Sequence, residues 1–114
     1  MTLTLYGLKN CDTCKKALKA LESAGKEVQF VDIRTGVDLA NKVPGWLDAV
    51  GAAKLVNTRS TTFRELSEDD KTIAKGETPK GVLLNNPTLI KRPVIEDGDA
   101  VYVGWTKQVE AALV

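Results

Sequence analysis

The hydrophobic pattern of residues 2–33 changes period twice, and that change limits the fold more than any other feature. Thr2, Leu3, Thr4, Leu5 and Tyr6 alternate polar and apolar and end at Gly7, which predicts a short strand. Residues 15–24 then place Ala17, Leu18, Leu21 and Ala24 on one helical face, with Gly25 as the C-terminal cap. Residues 28–33 alternate again. Strand, helix and strand in so short a stretch form a βαβ unit, whose two strands run parallel.

The middle of the chain carries helical signals only. Residues 39–50 suit a helix, with Pro44 and Gly45 either breaking it or marking its start near Pro44. Residues 53–57 read as a turn. Residues 62–66 and 68–75 read as short helices, the second capped by Ser67 with Asp70 at the box position. Thr78 is expected to cap a further helix with Pro79 at its first position, and Pro87 lies beyond its end. The last third returns to strands: Leu89 and Ile90 lead into Arg92-Pro93, residues 94–96 and 100–103 form a hairpin about Asp97-Gly98-Asp99, and residues 106–113 close the chain as a helix. The order βαβ, helical block, ββα contains no repeat or composition break. It predicts one α/β domain over residues 1–114 with a helical insertion at about 38–86.

Composition narrows the chemistry. The 114 residues include no histidine, so Ser-His and Cys-His pairs and His-ligated metals are excluded. Two cysteines cannot form a Cys-only zinc site, and no metal or bound cofactor is expected. Lys plus Arg is 16 and Asp plus Glu is 15, a balance without the basic excess of a nucleic-acid binder. No segment approaches the ~20 apolar residues of a membrane span, and the N-terminus lacks a signal-peptide pattern. A monomer in the cytoplasm is expected, where thiols stay reduced and paired cysteines mark reactivity more often than structure.

Cys11-Asp12-Thr13-Cys14 falls where the first strand gives way to the helix. Helix-start amides lack internal partners and carry partial positive charge, so a thiolate placed there is stabilised and its pKa falls. Cys14, one turn on, is near enough to close a disulfide where local geometry allows. The plainer reading is two unrelated buried cysteines; the strand-to-helix junction favours the reactive one. Asp12 opposes the thiolate, while Lys9, Lys15 and Lys16 oppose Asp12. Arg92-Pro93 reads either as an edge device or as a cis-proline loop presenting backbone beside the cysteine. Arg59, in Asn57-Thr58-Arg59-Ser60-Thr61-Thr62, reads either as a solvated loop residue or as an oxyanion ligand. Two arginines converging on one thiolate would favour an anionic substrate or a glutathione carboxylate and would lower the thiol pKa further. Trp46, Trp105 and Phe63 are expected in or near the core, and Lys15, Lys16 and Lys19 on a solvated helix face.

Leu5-Tyr6-Gly7-Leu8-Lys9-Asn10-Cys11-Asp12-Thr13-Cys14-Lys15-Lys16-Ala17 resembles the opening of the arsenate reductase (ArsC)/Spx family, within its YffB-like branch of small ArsC-like proteins. The segments 55–66 and 89–94 resemble that branch's other two signatures, in the same order. The resemblance implies a thioredoxin-like fold with a helical insertion between the second and third strands. It puts the nucleophile at Cys11, two anion-binding arginines at Arg59 and Arg92, and the cis-proline at Pro93. The family's arsenate reductases use glutathione and glutaredoxin and hold the oxyanion with a third arginine; here residues 102–107 offer only Lys107, a point charge rather than a planar fork. Cys14 is a second departure from those reductases, one shared with Spx-type regulators. The implied function is a thiol-dependent reductase. In it Cys11 attacks an anionic or glutathione-linked substrate, Cys14 resolves the intermediate, and glutathione or a glutaredoxin- or thioredoxin-type protein donates electrons. The alternatives are an arsenate reductase proper, and a redox-switched regulator that binds RNA polymerase through the C-terminal domain of its α chain.

Overall fold

The first period change is realised as strand β1 (Thr2–Gly7), helix α1 (Asp12–Ser23) and strand β2 (Glu27–Asp32) in a computed structural model that describes residues 2–114. β1 and β2 pair in parallel from Thr2↔Glu27 to Gly7↔Asp32, as a βαβ unit requires. Gly25 sits at φ 83° just past α1, the backbone setting in which glycine ends a helix without Cβ strain. α1 begins at Asp12 rather than Lys15, so the cysteine pair spans its first turn.

By its contacts the chain divides into two compact units, residues 2–36 with 92–114, and residues 37–91. In the first, β3 (Val94–Asp97) pairs antiparallel with β1, and β4 (Ala100–Val103) pairs antiparallel with β3 through the turn Gly98-Asp99, Asp97 of the expected turn being the last residue of β3. The sheet order is β2-β1-β3-β4. This thioredoxin-like sheet puts Leu3, Leu5 and Ile95 on one face, where they pack with Cys14, Ala17 and Leu21 of α1 and with Leu113 of the closing helix, α7 (Lys107–Leu113). Period-2 alternation puts Gly7 on the same face as Leu3 and Leu5. Tyr6 lies on the opposite face, and its hydroxyl donates to Glu96 Oε1 at 2.8 Å.

The second unit is helical: α2 (Leu39–Val50), α3 (Ala52–Leu55), α4 (Thr61–Arg64), α5 (Glu68–Lys75), α6 (Lys80–Asn85) and a 3-10 turn at Pro87–Leu89. α2 packs on α3 and α6, and α5 on α3 and α6, burying Val43, Trp46, Leu55, Ala74 and Leu83. Three local expectations are corrected. Pro44 lies inside a continuous α2; only the bond to the Ala40 carbonyl is forfeited, in an exposed turn near the helix start. The turn at 53–57 contains α3, too short to show a period. α6 starts one residue late, with Pro79 rather than Thr78 at the cap position. Ser67 does cap α5, accepting from the Asp70 amide at 3.1 Å. Leu89 ends the 3-10 turn, and Ile90 forms an isolated bridge with Val56 before the chain reaches Arg92-Pro93. Among the described residues no helix is long and apolar enough to cross a membrane.

Candidate active site

Cys11 is the N-cap of α1, with extended backbone (φ −92°, ψ 117°) and a carbonyl that accepts the first intrahelical bond from Lys15 N–H at 3.0 Å. The turn that delivers it is closed by Cys11 N–H donating to Leu8 O at 3.1 Å. A cysteine therefore stands where Ser, Thr or Asp usually satisfies a free helix-start amide. Its side chain makes no regular capping hydrogen bond, yet the Cys14 amide still favours its anion.

The two sulfurs are driven apart in acidity. Burial, the largest single influence on half-buried Cys11, pushes its thiol up. The Cys14 amide, the Cys14 thiol and the Arg92 guanidinium, by hydrogen bond and by charge, together outweigh burial and bring it below the ordinary thiol value. Cys14 is fully buried. Burial, a hydrogen bond to Cys11 and the negative charge of Cys11 push it up to about 12, against opposition from the Leu8 amide and Arg92. One thiol is thus prepared as a nucleophile while its neighbour keeps a proton. Both cysteines are free thiols.

Sheet register explains how Arg92, distant in sequence, reaches Cys11. Tyr6 is paired with Val94, so continuing the antiparallel ladder by two residues brings Pro93 level with Gly7 and Arg92 level with Leu8, at the end of β1 where α1 begins. The Arg92-Pro93 bond is cis, Pro93 is buried, and its carbonyl accepts from Gly104 N–H at 2.8 Å. Arg92 is half-buried, with Nε shielded from solvent.

The sequence pattern of the ArsC family matches residues 6–112. This chain belongs to the ArsC family. It is 46% identical over 112 residues to an uncharacterized protein of Haemophilus influenzae, covering 96% of this chain and 97% of that one. It is 26% identical over 109 residues to the global transcriptional regulator Spx 2 of Bacillus anthracis, covering 93% of this chain and 82% of the regulator. Among solved structures, the YffB (PA3664) protein superposes with a TM-score of 0.85 at 35% identity, covering 97% of each chain.

Within this ArsC-family chain, Cys11, Cys14, Arg92 and Pro93 come together in the first unit. Arg59 belongs to the second unit and is exposed. Its loop is firmly built: Arg59 N–H donates to Asn57 Oδ1 at 3.1 Å, Ser60 Oγ donates to Asn57 O at 2.7 Å, and Ser60 Oγ accepts from Phe63 N–H at 3.1 Å. Trp46 and Phe63 are buried and Trp105 packs against the core of the first unit, as expected; Lys15, Lys16 and Lys19 are exposed.

Gly7 is the site residue that sequence reading missed. A Cβ placed there would stand 2.5 Å from Cys14 Sγ and 3.2 Å from Cys14 Cβ. The absent side chain is the room in which the second sulfur sits. The signal was available: Gly7 shares the alternating face of Leu3 and Leu5, which is the face a helix must cover.

Proposed function

We propose that this chain is a thiol-dependent reductase in which the Cys11 thiolate attacks an anionic or glutathione-linked substrate. The observation that carries the reading is Cys11 at a helix start, with the Cys14 amide, the Cys14 thiol and Arg92 all favouring its anion. On a glutathione mixed disulfide, Cys11 Sγ attacks one sulfur, forms a new S–S bond and expels the other thiol as a thiolate. Cys14 then attacks Cys11 Sγ, releasing the bound thiol and leaving a Cys11–Cys14 disulfide. Its proton goes to the departing thiolate. Glutathione or a glutaredoxin- or thioredoxin-type donor reduces the pair and closes the cycle.

The acidity difference gives this sequence an order. While Cys11 is anionic, its charge and hydrogen bond help keep Cys14 protonated. Once Cys11 is consumed in a mixed disulfide, both influences vanish, and burial is opposed by the Leu8 amide and Arg92 alone. The family resemblance assigns the substrate anion to Arg92 and extends the same role to Arg59. In the Cys14→Ser variant, glutathione disulfide at neutral pH should leave one glutathione on Cys11, seen by intact and peptide mass spectrometry. An unmodified Cys11 refutes the reading.

Similarity to the Bacillus anthracis Spx regulator supports a second reading, a regulator that binds the C-terminal domain of the RNA polymerase α chain and is switched by the same cysteine pair. Capture of that domain by the oxidised protein, lost on reduction, would favour it. Arsenate reduction proper requires turnover of arsenate with glutathione and glutaredoxin, and the absence of an arginine in residues 102–107 predicts none.

A further inference from the structure

A small pocket of about 230 Å³ is lined by Leu8 and Lys9 of the turn that precedes Cys11, by Lys15 and Leu18 of α1 and by Phe30 of β2. Its walls are almost entirely apolar, formed by buried Leu8 and by the partly buried side chains of Leu18 and Phe30. Two of its residues bond directly to the Cys11 backbone, Leu8 through its carbonyl and Lys15 through its amide. The volume falls below the roughly 300–1,000 Å³ that encloses a small ligand, and leaves room for a side chain rather than a whole small molecule. The rim is basic: Lys9 and Lys15 are exposed at the mouth, and Lys16 and Lys19 continue along the solvent face of α1, whose acids are Asp12 and Glu22. An apolar socket inside a charged rim is the usual form of an anchor site on a protein surface.

We propose that this pocket is a specificity subsite for polypeptide disulfides, taking an apolar side chain next to the substrate cysteine, with acidic residues flanking it. The inference rests on the reductase reading and names its substrate class. In the step it serves, the Cys11 thiolate attacks the substrate cysteine sulfur of a glutathionylated peptide. A Cys11–peptide disulfide forms and glutathione leaves as thiolate. Docking the apolar neighbour beside Leu8 and Leu18 holds that sulfur at Cys11, while Lys9 and Lys15 pair with the flanking carboxylates.

The test uses the full-length Cys14→Ser protein and three glutathionylated peptides. One has leucine beside the cysteine and glutamates outside it, one has serine for the leucine, and one has lysines for the glutamates. Rates of Cys11–peptide disulfide formation are read by mass spectrometry, with iodoacetamide alkylation of Cys11 as a control. The first peptide should react about tenfold faster than the second and faster still than the third. Lys9→Glu combined with Lys15→Glu should reverse the preference between the first and third, each peptide rate being divided by that variant's own Cys11 alkylation rate to remove the change in thiolate reactivity. Equal rates with all three peptides overturn the subsite and leave the reductase reading standing. A Cys11 inert to every peptide and to glutathione disulfide overturns both.

Discussion

Gly7→Ala puts a methyl group where the structure has a sulfur. Gly7 has no left-handed backbone requirement, so alanine there gains about 0.4–1 kcal/mol from lowered unfolded-chain entropy, to be set against what the added methyl meets. The new Cβ stands 2.5 Å from Cys14 Sγ, about 1 Å inside a contact distance of roughly 3.5 Å. Cys14 is fully buried among Leu5, Ala17 and Leu21 and has little freedom to move away. Overpacking of this kind costs about 1–3 kcal/mol. Cys14→Ala alone loses one buried sulfur and should cost about 1–2 kcal/mol. In the double variant the sulfur is gone, and the tight contacts to Cys14 Cβ and Leu5 Cδ2, at 3.2 and 3.3 Å, are relieved by a small shift of either neighbour. The double should therefore be more stable than the sum of the singles by at least about 1 kcal/mol. Urea unfolding of the four proteins, followed by far-ultraviolet circular dichroism under reductant, measures the cycle. Additivity within about 0.5 kcal/mol, or a stabilising Gly7→Ala in the presence of Cys14, would refute the packing argument.

Arg92→Met removes a hydrogen bond and a charge from the Cys11 thiolate, so the Cys11 pKa should rise and its alkylation at pH 7 slow several-fold; Arg92→Lys should recover part of the loss, since a point charge lacks the guanidinium fork. Alkaline stability should depend on Cys14: above the ordinary thiol pKa the unfolded chain releases the Cys14 proton while the folded chain holds it up to about 12. Denaturation midpoints should therefore fall as pH rises through that window. Cys11 is ionised in both states there and adds no slope. Ser67→Ala, which strips the cap from the Asp70 amide, should cost about 1 kcal/mol in the same unfolding assay without changing Cys11 alkylation.

The βαβ unit was legible because two changes of period leave a parallel strand pair as the natural reading, and the hairpin because Asp97-Gly98-Asp99 interrupts two apolar runs. Where expectation failed, local signals were weak or competing. α3 is four residues long, and Pro44 removes only one exposed hydrogen bond, too small a penalty to break a helix anchored by Val43 and Trp46. The start of α1 at Asp12 has no periodic signature, because Cys11 occupies the position where a hydroxyl or carboxylate cap normally announces a helix. Of the site, the cysteine pair was readable from its place at the junction. Arg92 was a candidate whose approach to Cys11 follows from β1–β3 register, a long-range pairing that no local pattern encodes. The role of Gly7 depends on knowing which atom lies above it.

Site-resolved alkylation of the wild-type protein across pH, with each cysteine followed by peptide mass spectrometry, tests the central claim most directly. Cys11 should react with a midpoint below the ordinary thiol value while Cys14 stays unmodified into the alkaline range. A Cys11 midpoint at or above that of a free thiol, or modification of Cys14 first, would contradict it.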